Sequence, residues 1–215
     1  MSPPGRLVIA VDGPGGSGKS TVSREVARRL GLAHLDTGAF YRAATLAGLR
    51  TRIDLSDEAA LVAIVDRIVI DQEDGRTYLD GEDVSGEIRS DEVTARVSAV
   101  AAHPSVRQRL VARQRAWVGR HGHRAAVEGR DIGSVVFPDA QVKVFLTADP
   151  AERARRRARE LGAREYQVEV NLARRDRIDS SREASPLAVA EGAVILDTTG
   201  MTFEEVVERV LELAR

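Results

Sequence analysis

Eight consecutive residues carry the clearest chemistry in the chain. Gly13-Pro14-Gly15-Gly16-Ser17-Gly18-Lys19-Ser20, with Thr21 adjoining, satisfy G-x-x-x-x-G-K-[ST] directly after the apolar run Leu7 to Val11. A helical pattern follows at once, with Val22, Val26 and Leu30 at i, i+4 and i+8 and Gly31 to stop it. Glycines allow positive φ, so the backbone can turn its N–H groups inward, and the helix N-terminus adds partial positive charge. Phosphate oxygens suit such a cradle. Lys19 can reach the β- and γ-phosphates of a nucleoside triphosphate, and the Ser20 hydroxyl can take a place on Mg²⁺. A glycine-rich turn that merely joins strand to helix is the structural alternative, and the full strand–loop–helix context weighs against it. The motif fits small-molecule kinases, GTPases and nucleic-acid motors equally.

Arginines narrow the class. The run Ala125 to Val127 ends in Glu128, where a motor or GTPase strand would end in Asp or Asp-Glu, and Gly129-Arg130-Asp131 follows. A guanidinium just past a strand's C-terminal end lies where α/β folds bind ligands, and its fork can grip a phosphate bidentately. Asp36-Thr37-Gly38 leads in the same way to Arg42. Two such arginines at the edge that carries the phosphate loop imply a phosphate-bearing acceptor facing the donor. Arg175, Asp179 and Arg182 stand at i, i+4 and i+7, one helix face. Arg153, Arg156 and Arg157 share another, with Glu152 one turn before Arg156. An intrahelical ion-pair face, worth about 0.3–0.5 kcal/mol per pair, is the structural alternative for both sets.

The elements that must hold these groups alternate. Five runs read as buried strands: Leu7 to Val11, Ala33 to Asp36, Arg124 to Glu128, Val142 to Leu146 and Ala193 to Asp197. Helical patterns separate most of them, with Asp149-Pro150 and Thr202…Glu205 as start signals, so the expected fold is α/β with a parallel sheet. The segment from about 68 to 84 breaks the rule and predicts a β-hairpin turning at Asp74-Gly75, between helices around Ala59 to Asp66 and Asp91 to Ala102. From Pro150 to Arg182 the chain is strongly basic, with little apolar periodicity past Leu161, which suggests a mobile segment closing over an anion.

At 215 residues one domain, 1–215, is the default. A net charge of -1 gives no global field for nucleic acid or anionic lipid. The absence of Cys excludes disulfides, thiolate nucleophiles and Cys-ligated metals. No apolar run approaches the roughly 20 residues of a membrane span, so a soluble, cytoplasmic chain is expected. Lys occurs only at 19 and 143, leaving 30 arginines, a coding bias that makes position rather than residue type the guide. His34, His103, His121 and His123 lack metal-ligand spacing and read as structural or solvent-facing, and Trp117 reads as a helix core anchor.

Taken in order, the phosphate loop, Leu35 to Arg42, Gly81 to Arg89, Gly129 to Gly133 with Val136 to Ala140, and Asp176 to Arg182 with Ser185-Pro186-Leu187 resemble the bacterial cytidylate kinases. The resemblance runs from the first strand to the last helix. It implies a P-loop kinase fold with a five-stranded parallel sheet, a monophosphate-binding insert at about 62–106 that contains the hairpin, and a helical lid at about 150–182. The implied reaction is transfer of the γ-phosphoryl group of ATP, with Mg²⁺, to CMP or dCMP in pyrimidine nucleotide metabolism. By resemblance Arg42 and Arg130 would hold the acceptor phosphate, with Thr37 also on the CMP side. Ser98, Arg107 and Asp131 would contact cytosine, and Arg175, Asp179 and Arg182 its sugar and phosphate. The lid arginines would close over the migrating phosphoryl group and adenine, with Arg156 ranked ahead of Arg153 and Arg157. Lys19, Arg130, Arg156 and Arg153 are the expected catalytic set.

The chemistry fits: a carboxylate at Asp131 accepts from cytosine N4 and would meet the uracil carbonyl acceptor to acceptor. Glu128 stands where Asp is usual in the family, and it enters as a water-mediated Mg²⁺ contact beside Ser20. A monomer without nucleic-acid or membrane partners is the family expectation. The rival readings are a same-fold kinase for UMP or another metabolite, and a nucleotide-dependent switch or ATPase.

Overall fold

The computed structural model describes residues 5–181 and 185–215, so Arg182 lies outside the described residues. The chain divides into two compact units. One comprises the described residues up to Leu35 together with those from Val118 onward; the other is Asp36–Trp117.

The first unit is built on a five-stranded parallel sheet flanked by helices. Its strands are β1 (Leu7–Asp12), β2 (Ala33–Asp36), β6 (Arg124–Glu128), β7 (Val142–Thr147) and β8 (Val194–Asp197), in the order β2-β6-β1-β7-β8. β1 is central: Val11 lies opposite Glu128 of β6, and Asp12 opposite Phe145 of β7. The C-terminal ends of β1 and β6 therefore lie side by side, and the phosphate loop and the Gly129-Arg130-Asp131 turn leave from one edge. Helices α1 (Lys19–Leu30) and α8 (Phe203–Leu213) pack on β1 and β7 through Val22, Val26, Val207 and Val210 against Ile9, Val11 and Leu146. Each such side chain contributes roughly 1.5–3 kcal/mol on burial. β8 is an edge strand and leaves Val194 and Ile195 exposed.

The start signals act as expected. Gly31 ends α1 in the left-handed conformation, Thr202 and Glu205 form a capping box on α8, and Asp149 caps α6 (Pro150–Leu161) by accepting from Ala151 and Glu152 N–H. The basic stretch after Leu161 is ordered as a second helix, α7 (Glu165–Ser181). Its apolar periodicity is weak, with only Val168, Leu172 and Asp179 buried along its length, and the helix agrees with the expected helical lid.

The second unit holds α2 (Thr37–Arg50), α3 (Glu58–Arg67), α4 (Asp91–Val100) and the start of α5 (Pro104–Arg120) around an antiparallel sheet. The expected insert at 62–106 lies inside this wider unit. Its sheet has three strands rather than two: β3 (Ile70–Glu73), β4 (Arg76–Leu79) and β5 (Glu82–Asp83). Asp74-Gly75 turns the chain as expected, and Asp80-Gly81 turns it again, with φ of 51° and 85°. Both pairs adopt the two positive φ values that a tight hairpin needs. Among the described residues no helix is long and apolar enough to cross a membrane.

Candidate active site

The phosphate loop is fixed by close approach. Gly13 has φ of 143°, and a Cβ there would lie 2.0 Å from the Leu146 carbonyl oxygen, so a side chain cannot pass. Lys19 is buried and its Nζ donates to the Pro14 carbonyl at 2.7 Å. Burial, then the positive charge of Arg130, pull its pKa down to about 7. Gly15 N–H donates to Asp176 Oδ1 at 3.2 Å, while the Ser17 hydroxyl is buried with no hydrogen-bond partner among the described residues. The loop thus offers a buried cation and a buried hydroxyl.

Beside it stands a pair of oxygen ligands. Ser20 Oγ donates to Glu128 Oε2 at 2.6 Å, and Glu128 is 3% exposed. Burial raises the Glu128 carboxyl, but bonds from His34 and Ser20 and the charge of Lys19 outweigh it and hold it below its ordinary range. His34 Nε2 lies 3.1 Å from Glu128 Oε1 and 3.0 Å from Ser23 Oγ. A hydroxyl and an ionised carboxylate next to a phosphate cradle suit a hard divalent cation that takes its other ligands from phosphate and water. Among the described residues no group of three or more His, Cys, Asp or Glu could cage a metal unaided.

Guanidinium groups surround the same loop. Arg130 donates through Nε to Asp179 Oδ2 at 2.9 Å and through NH1 to the Gly13 carbonyl at 3.0 Å. Arg153, from α6, donates through NH1 to the Gly15 carbonyl at 2.9 Å and to Asp176 Oδ2 at 2.5 Å. Arg175, from α7, is pulled below the ordinary arginine range by burial and then by Arg130, and its buried Nε has no partner among the described residues. Crowded, incompletely satisfied guanidiniums form a receptor for anions.

Arg156 has a different setting. It donates to Thr198 Oγ1 at 2.9 Å and to the Thr198 carbonyl at 2.8 Å, and it lines a cavity of about 300 Å³. Met201, Phe203 and Val206 give that cavity an apolar side, Glu152, Arg159 and Glu160 a charged one, and Gly16, Ser17 and Gly18 of the phosphate loop also line it. Such a space takes a flat heterocycle whose phosphates lie in the loop. Arg157 pairs with Glu160, which also lines the cavity, at 2.7 Å.

In the second unit Arg42, on α2, donates through NH1 to the Ile88 carbonyl at 2.9 Å and to Thr94 Oγ1 at 2.8 Å. Arg107, on α5, is 3% exposed, lies over the Tyr41 ring at 5.3 Å and donates to the Ala101 carbonyl. Ser98 and Thr37 are buried.

A family model described as "Cytidylate kinase" matches residues 9–215. The chain is 48% identical over 212 residues to a cytidylate kinase of Caldanaerobacter subterraneus subsp. tengcongensis, covering 96% of this chain and 94% of that one. It is 50% identical over 214 residues to a cytidylate kinase of Mycobacterium leprae, covering 97% and 96%. This chain belongs to the cytidylate kinase family. Likeness to a solved structure of an uncharacterized protein from Eubacterium ventriosum bears on the fold alone, with a TM-score of 0.55 and 8% identity over 96% of this chain and 97% of that one.

Within this family member, Lys19, Ser20, Glu128, Arg130, Arg153, Arg175 and Asp179 lie close to one another at the phosphate loop. Arg157 adds its positive charge beside Arg175, and Arg156 lies at the cavity that Gly16, Ser17 and Gly18 of the phosphate loop also line. Thr37, Arg42, Ser98 and Arg107 belong to the other compact unit. Sequence reasoning missed Asp12, Asp176 and Thr94, which act by holding other groups. His34, read as structural or solvent-facing, is held between Ser23 and Glu128. The strand register could have linked His34 with Glu128, because β2 and β6 are sheet neighbours.

Proposed function

We propose that this chain performs ATP-dependent phosphorylation of CMP to CDP, accepts dCMP as well, and transfers the γ-phosphoryl group directly and in line. The supporting observation is the cluster of cations at the edge of the sheet, where Lys19, Arg130 and Arg153 bond carbonyls of the glycine loop and Arg175, whose buried Nε has no partner among the described residues, lies beside Arg130. In this reading residues 13–21 hold the ATP phosphates, and the cavity beside Arg156 and Met201 takes adenine. Arg153 takes the phosphate end of the lid and Arg156 the base, reversing the ranking suggested by sequence. Ser20, with Glu128 beside it acting through water, would hold Mg²⁺, which when bound would neutralise charge on the β- and γ-phosphates. Arg42 and Arg130 hold the CMP phosphate, Ser98, Arg107 and Asp131 read cytosine, and Arg175, Asp179 and Arg182 complete the CMP side with Thr37. No side-chain base is needed, because a phosphate monoester dianion is already nucleophilic once held in line.

We take residues 150–182 as the lid that excludes water during transfer. The enzyme would act as a cytoplasmic monomer on free nucleotides, without membrane or nucleic-acid partners.

The test is ADP release with Mg-ATP and CMP, dCMP, UMP, AMP or GMP offered separately, with a no-acceptor control. Rapid turnover with CMP and dCMP only is the expected result. Turnover chiefly with UMP would assign a different acceptor, and acceptor-independent hydrolysis would make the chain an ATPase.

A further inference from the structure

Asp12 closes β1 and is 4% exposed. Its Oδ1 accepts from Ile132 N–H at 2.8 Å and its Oδ2 from Gly133 N–H at 2.8 Å. Those two donors open the short π-helical turn Ile132–Val136, whose N-terminal residue Asp131 does not cap it with its own side chain. The orphan N–H groups of the turn are thus satisfied by a carboxylate from another strand, 120 residues earlier in the chain. Fixing these N–H groups fixes the peptide planes that follow Asp131, and hence the direction of its Cα–Cβ bond. Arg130 precedes it and bonds the carbonyl of Gly13, the residue after Asp12. Acceptor turn and phosphate loop are thereby joined at one point.

We infer that Asp12 is a positioning residue for the acceptor half of the site, its carboxylate bridging the Ile132 and Gly133 N–H groups so that Arg130 and Asp131 present their side chains to CMP. The inference rests on the proposed roles of Arg130 and Asp131. Burial lifts the Asp12 carboxyl to about 6 against the pull of the two backbone bonds. Asp131 on the turn raises it further and Lys19 at the start of α1 lowers it. Arg130, Glu128 and Asp176 stand around that lysine, and the facing residue on β7 is Phe145. A protonated Asp12 would turn an O–H toward one N–H and lose that bond.

Asp12→Asn keeps the shape and replaces one acceptor by an NH₂ donor. The expected result is a rise of about tenfold or more in KM for CMP, a comparable fall in preference for CMP over UMP, and KM for ATP within about twofold. A folded Asp12→Asn variant with normal KM and selectivity for CMP would overturn the inference. Asp131→Asn run alongside separates the two levels. Unchanged selectivity in that variant would overturn the acceptor reading and this inference with it, whereas a relaxed Asp131→Asn beside a normal Asp12→Asn would remove Asp12 alone. If Asp12→Asn does not fold, the unaltered protein serves with cytidine, which has no phosphate to titrate. The Ile132 and Gly133 amide resonances should then shift with one midpoint near pH 6 while cytidine affinity falls toward lower pH over the same range. Amides that do not titrate there, or cytidine affinity that stays flat from pH 5 to 8, would overturn it.

Discussion

Lys19 shows how the fold prepares a cation for an absent charge. Burial and Arg130 hold its pKa at about 7, so at pH 8 the free protein carries it mostly neutral. A phosphate oxygen at its Nζ favours the charged form, so nucleotide binding must be accompanied by proton uptake. Binding of Mg-ADP at pH 8, followed by calorimetry in buffers of different ionisation enthalpy, should show uptake of up to about one proton per site. Lys19→Arg should show none. In linkage terms the folded state binds fewer protons at Lys19 between about pH 7 and the ordinary 10.5, so this residue makes stability rise with pH across that window. Asp131→Asn should lower the ratio of CMP to UMP turnover by about 10- to 100-fold, because the amide no longer rejects the uracil carbonyl. Lys19 and Arg130 were legible in sequence because glycines and strand ends mark them. Asp12 and Thr94 were not: Asp12 holds backbone N–H groups far along the chain, and Thr94 braces an arginine from another helix, neither of which leaves a spacing pattern.

Among the elements, β1 and α6 do most of the positioning. Gly13→Ala would set a methyl 2.0 Å from the Leu146 carbonyl and push the loop off β7, so loss of nucleotide binding is expected by calorimetry. Asp149→Ala removes the side-chain cap of α6, with an expected loss of about 1 kcal/mol in urea unfolding. Because α6 carries Arg153 and Arg156, KM for ATP should rise in the same variant. All five strands of the parallel sheet were legible: β1, β6 and β7 read as apolar runs because they are largely buried, and β8 reads as one although Val194 and Ile195 are exposed. The third strand of the small sheet was hidden because Thr77 to Val84 reads as one continuous run across the Asp80-Gly81 turn. Helix α7 was legible only through the spacing of Arg175, Asp179 and Arg182 and the resemblance to a helical lid, because its buried positions are too sparse to give an apolar period.

For the whole molecule, binding should be read as stability. Ligand at about 100 times its Kd stabilises by about 2.7 kcal/mol, which for a chain of this size raises Tm by roughly 5–10 °C. CMP should produce that shift, and UMP at the same concentration should not. The mixed charge, 32 basic against 33 acidic residues, leaves little net repulsion to keep copies apart. That balance matters at β8, where Val194 and Ile195 lie exposed on the last strand of the sheet. An exposed apolar edge is a template for the next chain. During heating or refolding at high concentration, turbidity should therefore begin from this strand, and Ile195→Lys should delay it without changing turnover. The practical limit on storing and concentrating the enzyme would then be colloidal, set by four residues on the rim of the sheet.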